Sequence, residues 1–77
     1  MTITVTGSYA SKEQTQMVFD DLIAKGIPRE QVFVDKQANA VKVMTADNME
    51  WDVERIIRTH SAQRFTIRRN SFYTLLG

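Results

Sequence analysis

A single α+β domain with the element order β-α-β-β-α-β is predicted by three features of this 77-residue chain. Short runs alternate β-branched with polar residues. Two longer stretches repeat apolar residues every three or four positions, and each opens on a helix-capping signal. A chain of this length supports one modest core and no second domain.

The first run, "TITVTG", sets Ile3 and Val5 against Thr2, Thr4 and Thr6, the pattern of a half-buried strand. Gly7, Ser8 and Tyr9 then read as a turn. Ser11 and Gln14 have capping-box spacing and start the first helix, whose core face is Val18, Phe19, Leu22 and Ile23. Gly26 is a left-handed stop, Ile27 a hydrophobic partner for the last turn, and Pro28 prevents continuation. "QVFVDKQANAVKVMT" reads as two strands around a loop at Lys36 to Asn39, with Val32, Val34, Val41 and Val43 facing one side. Asp47 and Glu50 form a second capping box, and Met49, Val53, Ile56, Ile57 and His60 make the inner stripe of the second helix. Ser61 and Ala62 end it, and "QRFTIRR" returns to alternation with Phe65 and Ile67 inward.

Two helices that each bury one stripe need a common sheet face, and strand–helix–strand crossovers favour one hand. The expected architecture is therefore a ferredoxin-like βαββαβ sandwich: a four-stranded antiparallel sheet of order 4-1-3-2 with both helices on one face. The domain is expected to span 1–77, with its core in 2–69. The segment 70–77, "NSFYTLLG", has no charged side chain and includes Phe72, Tyr73, Leu75 and Leu76. Exposed, it would be an aggregation hazard, so it is expected to pack as a short fifth strand on its own sheet edge or against a partner.

Composition narrows the function classes. With 43% hydrophobic and 25% charged residues the chain is globular rather than disordered. The lack of cysteine excludes a disulfide framework, a thiolate zinc site and a cysteine nucleophile. One histidine gives no basis for a metal site, and no cofactor is expected. "MTITVTGSYA" has no basic n-region, and no apolar run approaches the ~20 residues of a membrane span. A soluble, cytoplasmic protein with no membrane association is the expectation. The net charge of +1 is uneven: residues 1–54 hold five Lys/Arg and nine Asp/Glu, and residues 55–77 hold five arginines and no acid.

No catalytic constellation emerges. His60 closes the apolar stripe of the second helix, where the helix dipole favours it, and reads as a half-buried packing residue. Asp47, Glu50, Asp52 and Glu54 lie in the first turns of that helix, where negative charge is stabilising, and Glu54 stands four before Arg58 at an ion-pair spacing. The chain is not expected to be an enzyme.

Three binding readings remain. The only tryptophan, Trp51, lies nearly opposite the inner stripe, alongside Arg55 and Arg58 at i+4 and i+7. Either an arginine stem covers the ring through a cation–π contact, or the trio binds a protein partner or a second copy of the chain, because Trp and Arg dominate binding hot spots. The second reading is nucleic acid on the open sheet face, through Lys42, Arg64, Arg68 and Phe33. Against it, the aromatic lies on an edge strand, where an RNA-recognition motif has its stacking rings on the first and third strands. The third is a small ligand or anion at the first strand–helix turn, through Gly7, Ser8, Tyr9 and Ser11, although "TGSY" is not a phosphate loop.

The pattern "VTGSYASKEQTQMVFDDLIAKGIPREQVFV" followed by "ERIIRTHSAQRFTI" resembles the small ferredoxin-like domains of bacterial general stress and heat-induced stress proteins. The matching positions are Gly7, Gly26-Ile27 and Arg58-Thr59-His60-Ser61-Ala62, and the resemblance covers roughly residues 3–68. The chain departs from it in Ser61, where glycine is commoner, in its "NMEW" helix start and in its "SFYTLLG" tail. The resemblance implies the fold and a non-enzymatic, stress-associated accessory role, and it carries over no functional residue.

Overall fold

β1 (Thr2–Ser8) runs into α1 (Lys12–Lys25), and a short 3-10 turn (Arg29–Gln31) leads to β2 (Val32–Asp35) and β3 (Ala40–Ala46). A second 3-10 turn (Asp47–Met49), α2 (Glu50–Thr59) and β4 (Arg64–Asn70) complete the order in the computed structural model, which describes residues 2–70. The expected fifth strand falls on residues outside those described. The four strands form one antiparallel sheet of order β2-β3-β1-β4, which is β4-β1-β3-β2 from the opposite edge. Over the described residues the protein is thus an α+β domain with a four-stranded antiparallel sheet and two α-helices.

Strand alternation decides which face is covered. Ile3, Val5, Val41 and Val43 are wholly buried, with Val32 close to it. Val18 and Leu22 of α1 and Val53 and Ile57 of α2 pack on them. The intervening residues Thr4, Lys42, Met44, Thr66 and Arg68 lie on the other face, which no described helix covers. Register sets their neighbours: Thr6 stands between Lys42 and Thr66, Thr4 between Met44 and Arg68, and Phe33 opposite Lys42.

Local signals fix the ends of α1. Ser11 accepts from the Gln14 N–H at 3.3 Å while the Gln14 side chain accepts from the Ser11 N–H at 3.1 Å, a reciprocal capping box. At the other end Gly26 is left-handed at φ 105°, its N–H donating to Ile23 and that of Ile27 to Leu22. This is a Schellman closure, and it seats Ile27 in the core. Between β2 and β3 the Asp35 carboxylate accepts from the Gln37 and Ala38 N–H groups, turning the chain.

Two expectations are corrected. Gly7 and Ser8 belong to β1 and not to a turn. The second helix does not open at Asp47: a 3-10 turn precedes it, and its N-cap, Met49, makes no side-chain cap bond. The Glu50 carboxylate instead takes two hydrogen bonds from Arg69 of β4, at 2.7 and 2.8 Å. A bidentate guanidinium is a stronger partner for a carboxylate than one backbone N–H.

Those hydrogen bonds hold the Glu50 carboxyl below the usual carboxylate range. A group whose pKa is depressed by folding contributes stability above its unfolded value and loses it as pH falls through the folded one. Glu50→Gln is therefore expected to be less stable than the parent at pH 7. The gap should begin to close near the ordinary value of a free glutamate, about pH 4, and vanish only as pH falls through the lower folded value. Urea unfolding across a pH series reads it directly, and a gap that persists at low pH would assign the loss to packing.

Candidate functional site

The outer face of α2 carries the most exposed large apolar side chain among the described residues. Trp51 is 67% exposed, because it lies opposite the Val53–Ile57 stripe that holds the helix on the sheet. The Arg55 guanidinium, one turn on, sits 4.8 Å from the centre of the Trp51 ring. Arg58 projects over the Phe65 ring of β4 at 5.4 Å and approaches the Glu54 carboxylate at 3.9 Å. Trp51, Glu54, Arg55, Arg58 and Thr59 together line a shallow depression of about 280 Å³.

Of the two outcomes foreseen for Trp51, the arginine contact is present. A cation–π contact does form, worth ~0.5–1 kcal/mol at an exposed site. It covers one side of the ring only, and two thirds of the residue still meets solvent. Arg58 does not stack on Trp51 but on Phe65, which ties the helix face to the β4 edge. The Phe65 contribution was not visible from helical spacing, since it comes from the following strand.

Lys42, Arg64, Arg68 and Phe33 do share the open sheet face. Phe33 is 49% exposed and Met44 40% exposed, and the two line one hollow with Thr6 and Lys42. Thr4, Thr6, Lys42, Thr66 and Arg68 line an adjoining hollow of about 340 Å³. The two surfaces, helix and sheet, are separate.

The residues of the first strand–helix turn are engaged by the fold. Gly7 lies under α2, where an added Cβ would fall 2.5 Å from Ile57 Cγ2 and 2.9 Å from Tyr9 Oη. Tyr9 is buried, and its hydroxyl donates to the Ile57 carbonyl at 2.6 Å. Ser8 accepts from the Gln63 N–H at 2.7 Å, and Ser11 caps α1. These contacts leave the ligand reading of Gly7, Ser8, Tyr9 and Ser11 without support from geometry.

His60 Nε2 meets Asp21 Oδ2 at 2.6 Å, and the Gln14 amide donates to the His60 carbonyl at 3.0 Å. Sequence reading placed His60 at the end of the stripe but missed both partners, which come from α1. The pair joins the two helices, and its attraction is full only when the imidazole is protonated. Among the described residues no cluster of three or more His, Cys, Asp or Glu side chains could hold a metal ion, and no helix is long and apolar enough to cross a membrane. Comparison with protein-family models, with curated proteins and with solved structures returns no significant match.

Proposed function

We propose that the chain is a non-catalytic interaction module that binds a protein partner through Trp51, Arg55 and Arg58 on the outer face of α2. The observation that carries this reading is the 67% exposure of Trp51 on a helix whose opposite face is fully packed. A large ring left in water is costly to a monomer and valuable to a complex. Arg55 and Arg58 are each already stacked on a ring, so less side-chain freedom is lost when a partner engages them. Two planar cations around an apolar seat suit a partner that offers carboxylates beside an apolar anchor. A second copy is a poorer fit, because a two-fold axis through this face would set arginine against arginine.

The non-enzymatic reading is supported by the burial of the Tyr9 phenol on the Ile57 carbonyl, which takes that group out of reach of a substrate. The strand order, the antiparallel pairing and the helix contacts support a ferredoxin-like sandwich within the α+β class. With that fold, the resemblance to general stress domains supports an accessory role in the cytoplasm.

Trp51→Ala tests the reading because it separates stability from binding. A surface substitution of this kind is expected to move unfolding free energy by no more than about 0.5 kcal/mol. The same change is expected to weaken a hot-spot-centred complex at least about tenfold. Thermal unfolding reads the first, and recovery of in-cell cross-linked species reads the second. Light scattering on the purified chain identifies self-association, which would replace the hetero-partner by a second copy. A strict monomer whose Trp51→Ala variant keeps every cross-link of the parent would overturn the proposal.

A further inference from the structure

The charge of the molecule is divided between its two faces. Asp21, Glu50 and Asp52, together with Glu54, pair with residues of the helical side or with Arg69. The open sheet face presents Lys42, Arg64 and Arg68, and among the described residues none of the three has a carboxylate in ion-pair distance. Of the acids beside this face, Asp35 has its carboxylate bonded to the backbone of the β2–β3 turn, and Glu30 lines a hollow with Phe33 and Met44 at the far end of β3 from that turn. Unneutralised cations on a flat surface suit a polyanion.

From this arrangement we infer a second binding site, independent of the α2 face, that takes single-stranded nucleic acid across the open side of the sheet. Lys42 on β3 and Arg68 on β4 flank β1 two residues out of row, roughly 12 Å apart on the diagonal at ordinary strand spacing and rise. Thr6 and Thr66 stand in the Lys42 row and bring hydroxyl groups between the cations. That combination matches successive phosphates better than a single small anion. At the β2 end of the same row the Phe33 ring is half exposed beside Lys42, with Met44 adjoining, which gives an unstacked base an apolar seat. Duplex fits less well: a flat sheet enters neither groove, and a ring can stack only on a base that has left its own stack. Phe33 on an edge strand replaces the central-strand rings of RNA-recognition motifs, so the base is received at the margin of the sheet and the backbone crosses its middle.

Fluorescence anisotropy of the full chain with labelled 12-nucleotide RNA and DNA of one mixed sequence tests this. Three phosphate contacts predict a log–log salt slope near −2, which weakens binding roughly 20-fold between 50 and 200 mM salt. Removing two of them in Lys42→Ala/Arg68→Ala is expected to flatten the slope to about −0.7. Phe33→Ala should weaken binding at least about fivefold through lost stacking. Lys12→Ala, which removes the same charge from α1, should leave affinity and slope unchanged. Circular dichroism confirms folding of each variant, and Arg68→Gln, which keeps the side chain's reach, should also flatten the slope. RNA and DNA binding equally well is expected of a site that reads phosphates and base planes. No binding at low salt overturns the inference. So does tighter binding of poly-glutamate, or affinity that ignores Phe33→Ala, since either result describes a general acidic-ligand surface.

Discussion

Gly7→Ala is expected to lower the unfolding free energy by about 2–3 kcal/mol, at the upper end of the range for overfilling a packed core. For a domain of this size that is a fall of roughly 10–20 °C in Tm. The added Cβ would stand 2.5 Å from Ile57 Cγ2 and 2.9 Å from Tyr9 Oη, far inside contact distance. Neither neighbour can give way cheaply. Cγ2 is bonded to the branched Cβ of a wholly buried isoleucine, whose χ1 is restricted, and the Tyr9 hydroxyl is held on the Ile57 carbonyl. The helix must therefore move away from β1. Ile57→Ala removes the clashing methyl, so the double variant should be more stable than the sum of the two single losses, by a coupling of about 1 kcal/mol or more. Thermal unfolding of the four proteins completes the cycle. Strict additivity would mean that Gly7 does not set the height of α2.

Tyr9→Phe comes next, with an expected loss of about 1–2 kcal/mol at pH 7, because the Ile57 carbonyl is left with a ring edge in place of a hydroxyl donor. The two proteins should also differ in alkaline solution. Burial pushes the Tyr9 phenol above its ordinary value, so the native state resists its ionisation and the unfolded state does not. Stability from such a group is complete below the unfolded pKa, about 10. It then falls as pH rises towards the folded value, by up to about 1.4 kcal/mol per pH unit. The phenylalanine variant lacks this term, and its deficit should shrink above pH 10. Parallel curves through pH 11 would contradict the burial of an un-ionised phenol.

Gly7 and Tyr9 together explain how the outer face of α2 is placed. The glycine lets α2 lie close to β1, and the hydroxyl anchors the last turn of that helix. With the inner stripe fixed, Trp51, Arg55 and Arg58 have no direction left but outward. The Arg69–Glu50 bonds secure the first turn of the same helix, so both of its ends are pinned to other elements.

What could be read from sequence was what is encoded locally. Ser11–Gln14 and Gly26–Ile27 declare the ends of α1 within a few residues, and both caps form. The alternation of Ile3, Val5, Val41 and Val43 fixes the buried face without knowledge of neighbours, and the outward residues follow from it. Reading failed where the deciding partner is distant in the chain. Glu50 has the spacing of a capping box, yet Arg69, nineteen positions later, takes its carboxylate. Gly7 and Tyr9 resemble a turn until α2, some fifty residues on, is laid over them. Asp21 gives no sign of His60, which is thirty-nine residues away. The exposure of Trp51 was legible from helical phase, whereas the stacking of Arg58 on Phe65 needed the strand that follows.

The proposal that a protein partner covers the outer face of α2 is tested most directly by photo-cross-linking from inside that face. A photoreactive side chain at Thr59, in the depression beside Arg55 and Arg58, is compared with one at Met17, exposed on α1. The expected result is a discrete adduct from position 59 and not from position 17, lost when Trp51 is replaced by alanine and kept when Phe33 is. No adduct from position 59, or one that survives Trp51→Ala unchanged, would contradict the account.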